Sequence, residues 1–286
     1  EFMQHRSEEQ YGAWIEDPDA NGLDDDATNG IEVVFPEGFD RLASGLAQGL
    51  DVRLGHEVCK VRWTASESVQ VETARGTFCA GQAVVTVSVG VLQSDEFVIE
   101  PPLPTDIRKA LDGFQMNAFE KVFLRFPHRF WDEGVYAIRR QGEAAKWWHS
   151  WYDLTALHGE PTLLTFAAGP CAVETRGWSD EQITDSVLES LRDLFGEEIP
   201  HPSGIRVTRW QDDPFTRGSY AYMTVGSHTE DHDLLATPIG GVLHLAGEAT
   251  WTDDPATVTA AMCSGHRAAE RVLGASIPIQ RLSDGK

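Results

Sequence analysis

Three features of the sequence predict a fold that mixes α/β and α+β architecture. Residues 242–246, Val-Leu-His-Leu-Ala, read as a short buried strand that passes through a glycine turn and an acidic loop into a helix starting near Pro255. Residues 58–89 hold several extended segments, some alternating and one continuously apolar. Residues 94–222 hold strand-like runs followed by one strongly amphipathic helix. With 286 residues, 41% of them hydrophobic, the chain can build one large core or two moderate ones.

Taken in order, residues 1–30 are polar and acidic, with Asp24-Asp25-Asp26 ahead of Asn29-Gly30, and read as a connector. From Ile31 an apolar run reaches Pro36-Glu37-Gly38; Phe39, Leu42, Ala43, Leu46 and Leu50 then recur at helical spacing. Val58 to Trp63 and Val69 to Thr73 are extended, Arg75-Gly76 makes a turn, and Thr77-Phe78 begins the return strand. Ala83 to Val89 suits a strand covered on both faces.

Beyond Pro101, Pro102 and Pro104, strands are expected at Phe119 to Phe126, Trp147 to Tyr152 and Pro161 to Ala168. Ser179 is placed to cap a helix over residues 180–195, with Ile183, Val187, Leu191 and Leu194 on one face. In the final helix Val258, Ala261, Met262, Gly265, Ala268, Ala269 and Val272 are expected to face a sheet. Its first turn leaves peptide N–H groups unpaired, which suits an anion or a ring that becomes anionic.

The formal charge of −22 excludes a nucleic-acid role, which needs a basic surface, and is compatible with a polycationic ligand; acidity serves solubility as well. No apolar run approaches the roughly 20 residues that span a bilayer, and no membrane partner is expected. Cys59, Cys79, Cys171 and Cys263 have neither metal-ligand spacing nor a disulfide pattern, and the histidines have no ligand spacing, so no metal is expected and the cytoplasm is the default compartment.

Two motifs in the C-terminal stretch, Gly247-Glu248-Ala249-Thr250 and Pro255-Ala256-Thr257-Val258, resemble the flavin-binding signature of FAD-dependent amine oxidases, a family that includes polyamine oxidases, monoamine oxidases and lysine-specific histone demethylases. Further matches are Gly55-His56-Glu57-Val58, the segment 87–92, Lys121 within its strand, and the string from Arg209 to Tyr222. The resemblance implies a partial FAD-binding Rossmann-like domain interleaved with an amine-oxidase substrate domain built on a mixed sheet with helices. The expected division is 31–93 and 223–286 for the flavin domain and 94–222 for the substrate domain. No G-x-G-x-x-G fingerprint occurs, and the resemblance covers the C-terminal two-thirds or so of the family.

Site roles follow from the same resemblance. Lys121 would hold a water against flavin N5 and assist reaction with O2. Tyr220 would form one wall of an aromatic cage, with Thr257 at the second cage position, leaving it half open as in relatives that take bulky or secondary amines. Trp151 would line the substrate cavity, whereas Trp148 and Tyr152 are expected to pack inside. Val58, Trp210, Phe215, Ser219, Gly247, Glu248, Thr257 and Val258 would border FAD, held non-covalently because Ser219 stands where covalent members have cysteine. The implied reaction is polyamine oxidase-like: an amine C–N bond becomes an imine by hydride transfer to the flavin, and O2 is reduced to H2O2. An L-amino-acid oxidase, with Arg125, Arg139 or Arg140 as carboxylate partner, and a non-catalytic partner-binding chain are the alternatives. A second chain supplying the dinucleotide-binding unit, or a homo-oligomer, is the expected partner.

Overall fold

The computed structural model describes residues 2–22, 35–142, 145 and 147–279. The acidic triplet Asp24-Asp25-Asp26, Asn29-Gly30 and the start of the apolar run at Ile31 lie outside them. Helices are α1 (Phe2–Tyr11), α2 (Asp40–Leu46), α3 (Val89–Leu92), α4 (Thr105–Asp112), α5 (Thr155–His158), α6 (Pro170–Thr175), α7 (Asp180–Phe195), α8 (Asp231–Leu235) and α9 (Val258–Leu273). Strands are β1 (Val58–Thr64), β2 (Ser68–Thr73), β3 (Gly76–Ala80), β4 (Ala83–Val85), β5 (Val98–Glu100), β6 (Phe114–Met116), β7 (Phe119–Arg125), β8 (Ala137–Arg139), β9 (Ser150–Asp153), β10 (Thr162–Ala168), β11 (Gly204–Val207), β12 (Ala221–Met223) and β13 (Leu243–Leu245).

Two compact units emerge. One gathers Glu1–Asp17, Thr28–Gln48 and Asn117–Asp213; the other gathers Pro18–Ala27, Gly49–Met116 and Pro214–Lys286. The segment 117–213 of the first unit thus runs from Met116/Asn117 to Asp213/Pro214, whereas the sequence reading put the boundaries at 93/94 and 222/223. β6 and β12 explain the difference: they pair antiparallel, Ala221 with Met116 and Met223 with Phe114, and stay in one unit.

In the first unit a five-stranded sheet runs β11-β7-β10-β9-β8. Every adjacent pair in it is antiparallel. Val122, Leu124, Leu163, Ala167 and Trp151 pack on one face with Ile183, Val187, Leu188 and Leu191 of α7. That helix begins with the expected cap: Ser179 accepts from Gln182 N while the Gln182 side chain returns to the Ser179 backbone. Ser179→Ala should cost about 1 kcal/mol, read as a lower urea midpoint.

The polar N-terminal stretch is not a simple connector, because Phe2–Tyr11 is helical. Its end is tied to β7 by Ala118 N donating to Gly12 O at 2.9 Å and Asn117 Nδ2 to Tyr11 O at 2.9 Å. His5 stacks on His149 at 4.3 Å, and Glu8 is buried. Docking here uses polar groups, so no apolar period announced the helix.

The second unit holds the mixed sheet, order β3-β2-β1-β5, in which only β1 and β5 run parallel. Two small sheets accompany it, antiparallel β12-β6 and parallel β13-β4. Ala83 to Val89 yields a strand of three residues only, since Ser88 caps the short α3 by accepting from Val91 N. Among the described residues β4 has β13 as its one neighbour, and Val84 on it is 40% exposed. Leu50, Val52 and Leu54 before β1 are exposed as well. Gly240 sits at φ 58°, and a Cβ there would come 2.6 Å from the Trp63 ring, so the turn admits no side chain. Among the described residues no helix is long and apolar enough to cross a membrane.

Candidate active site

Lys121 lies on the face of the five-stranded sheet opposite the α7 core. Strand register decides this: Lys121 pairs with Phe166 and Phe123 with Leu164, while Leu164 pairs with Tyr152 and Tyr152 with Ala137. Directly opposed residues share a face. The result is a row of rings crossing the sheet beside Lys121. Phe119 and Phe166 have centroids 4.9 Å apart, Phe166 and Tyr152 5.5 Å, and Tyr152 and Tyr136 5.8 Å. Lys121 and Tyr136 are exposed, and Phe119, Phe166 and Tyr152 are half-buried.

Trp151 does not join that row. It pairs with Thr165, which pairs with Val122, so it belongs to the covered face and is 0% exposed. Tyr152, not Trp151, is the residue on the Lys121 side of the sheet. Trp148 is buried too, its indole N–H donating to Ser186 Oγ at 2.9 Å. Its backbone is left-handed, φ 50°, and this breaks the alternation on which the sequence reading counted.

Beneath Lys121 sits a group that sequence reasoning missed. Glu120 is buried; its Oε2 accepts from Thr208 Oγ1 at 2.6 Å and Trp210 N at 3.1 Å, and its Oε1 from Gln211 N at 3.1 Å. Thr208 Oγ1 also accepts from Lys121 N at 2.8 Å. The carboxylate therefore fixes where Trp210 leaves β11, beside the strand that carries Lys121. Trp210 itself is 41% exposed.

In the second unit, β13 leads through Gly247 into the Glu248–Thr250 turn and then α9. Thr257 is the N-cap; its hydroxyl accepts from Ala260 N at 3.0 Å and donates to Asp254 O at 2.7 Å. The buried side of α9 is Ala260, Ser264 and Ala268, while Val258 and Ala269 are exposed, a rotation from the expected face. Ser264 sets it, because its hydroxyl accepts from Gly247 N at 2.9 Å. Tyr220 and Ser219 are half-buried just before β12, Phe215 is 63% exposed, and Val58 packs against the unit's core.

These residues fit the ring of FAD. Thr257, Val258 and Thr259 are exposed at the amino end of a 16-residue helix, an end that favours carbonyl oxygens or developing negative charge. At Gly247, φ 143°, a Cβ would meet nothing within 4 Å, leaving room for a flat group to approach.

Burial pushes the Glu248 carboxyl up to about 7, against the pull of the Ala221 and Ala256 N–H groups that it accepts. A carboxyl raised on folding adds stability that is complete below its unfolded value and is lost as pH rises through about 7. The effect is at most about 3 kcal/mol. His232 on α8, lowered by burial, titrates with the opposite sign; Asp231, Asp233, Asp253, Asp254, Arg267 and Arg271 are among the charged groups on neighbouring segments. The thermal midpoint between pH 5 and 8 should thus fall more in wild type than in Glu248→Gln, with His232 common to both. Equal slopes would remove the carboxyl's part.

Most of the chain resembles known proteins. A family model described as flavin containing amine oxidoreductase matches residues 10–273. Lysine-specific histone demethylase 1 homolog 1 of Oryza sativa subsp. japonica is 32% identical over 254 residues, covering 86% of this chain and 30% of the relative. Lysine-specific histone demethylase 2 of Homo sapiens is 33% identical over 251 residues, covering 85% and 30%. Wild-type putrescine oxidase bound to putrescine superposes with a TM-score of 0.70 at 22% identity, over 82% of this chain and 51% of that one, which shows a shared fold. The chain therefore spans 30% of the length of these two curated relatives. It belongs to the flavin-containing amine oxidoreductase family.

Proposed function

We propose that this chain is part of an FAD-dependent amine oxidase of polyamine oxidase type. The observation that carries the reading is the row of aromatic rings on the Lys121 face of the five-stranded sheet. Rings at that spacing hold an aliphatic ammonium by cation–π attraction without adding charge. The excess of acidic residues raises the local concentration of such cations.

When bound, FAD supplies the two-electron acceptor that takes hydride from the amine α-carbon and hands electrons to O2, giving H2O2. Tyr220 and Thr257 would flank the amine and Trp210 and Phe215 the ring. Lys121 would hold the water needed for proton transfer, and the amino end of α9 would offer its N–H groups to the charge gained on reduction, worth on the order of 1 kcal/mol. Thr257 in place of a second aromatic leaves space for a substituted nitrogen.

That space, together with the sequence relatives named for lysine demethylation, supports a second substrate class, the methylated amine of a lysine side chain. The missing dinucleotide-binding fingerprint would be supplied by a further segment or chain, and the side of β4 that has no neighbour among the described residues offers it a place to add a strand. Titration with FAD should produce visible flavin absorbance. Peroxide release should then be assayed with putrescine, spermidine, spermine, an L-amino acid and a methyl-lysine peptide. Protein that stays colourless with added FAD, alone and with the missing unit supplied, would leave the non-catalytic partner-binding role.

A further inference from the structure

We propose that Glu248 is a positioning residue: by accepting one backbone N–H on each carboxylate oxygen, it clamps the segment that bears Tyr220 to the loop that delivers Thr257. Oε1 accepts from Ala221 N at 3.1 Å and Oε2 from Ala256 N at 3.0 Å. Ala221 directly follows Tyr220, and Ala256 directly precedes Thr257. The assignment rests on the reading that these two side chains border the amine. It differs from the role that family resemblance implies for Glu248, which is contact with the cofactor.

The turn that carries Glu248 is fixed independently of its side chain. Gly247 N donates to Ser264 Oγ on α9, His232 Nδ1 on α8 donates to Ala249 O at 2.8 Å, and Arg267 on α9 donates to Thr250 O. With the backbone anchored to two helices, the carboxylate is the arm by which this turn reaches both site-bearing segments. One of those segments needs holding. Asp254 and Ala256 adopt φ of 50° and 61°, a left-handed region that non-glycine residues occupy only at a cost in free energy. The bond to Ala256 N and the Thr257 hydroxyl on Asp254 O both brace that conformation.

The geometry is specific to a carboxylate. An amide side chain has one acceptor oxygen, so Glu248→Gln can serve either Ala221 or Ala256 and turns an NH2 donor toward the other.

The test uses the full chain at pH 8 to 9, above the value of about 7 to which burial raises Glu248, so that the carboxylate is the prevailing form. In Glu248→Gln, hydrogen exchange at Ala221 or Ala256 should rise at least tenfold, while that of Ala246, bonded to Val85 O in the neighbouring sheet, stays as in wild type. In fluorotyrosine-labelled protein the 19F resonance of Tyr220, assigned by its loss in Tyr220→Phe, should shift. Unchanged exchange at both amides, or an unmoved resonance, overturns the proposal. Should Glu248→Gln not fold, wild-type exchange decides. Protection at Ala221 and Ala256 equal to that of Ala246 supports the clamp, and exchange at the rate of open loops overturns it. Neither readout uses flavin, so a failure to bind FAD would count against the proposed reaction and leave this result standing.

Discussion

Lys121→Met is expected to slow the reaction of the reduced enzyme with O2 by on the order of 100-fold, the scale of a lost proton-transfer group. Reduction by the amine should change much less. Met keeps the unbranched stem that lies opposite Phe166 in the β7–β10 register, so packing of the strand survives and only the ammonium is removed. Stopped-flow measurement of the two half-reactions separates the outcomes. An equal slowing of both would take the lysine out of the oxygen step.

Glu120→Ala carries the second large effect, and it falls on stability. The side chain is buried and accepts from Thr208 Oγ1, Trp210 N and Gln211 N. Truncation orphans three donors, two of them backbone, and should cost about 3–5 kcal/mol. For a unit of this size that lowers the melting midpoint by roughly 10 °C. Glu120→Gln is the sharper control. Two of the three donors share Oε2, which the amide oxygen can replace; only the partner on the other atom is lost. A cost of about 1–2 kcal/mol is expected for it. Calorimetry on the two variants should therefore give well-separated midpoints, and coincidence would mean that the three bonds contribute little.

Both effects show where sequence reading succeeded and where it ran out. The helix behind Ser179 was legible because its cap and its apolar face lie within a few residues of one another. The Gly247 turn and the start of α9 were legible for the same reason, as was Lys121 on a strand. The aromatic row was not. Tyr152 and Phe166 come together only through cross-strand register, Tyr136 joins them from just before β8, and Trp148 inverts the parity just before β9 by taking a left-handed conformation. The Glu120 carboxylate meets partners 88, 90 and 91 residues away, a distance over which periodicity carries no information. The first helix docks through His5, Glu8 and backbone groups, so composition hid it. On α9 a single hydroxyl, Ser264, rotated the buried face from the one that apolar spacing implied.

The open flank of β4 has a consequence for how the molecule behaves in bulk. Among the described residues its second edge has no neighbour, and this edge and the exposed Val84 invite a like edge from another copy, while the charge of −22 keeps copies apart when the buffer is dilute. Raising ionic strength from about 0.01 M to about 1 M shrinks the screening length from roughly 30 Å to 3 Å. Light scattering across that range should show monodisperse particles giving way to self-association, the reverse of a protein held together by ion pairs.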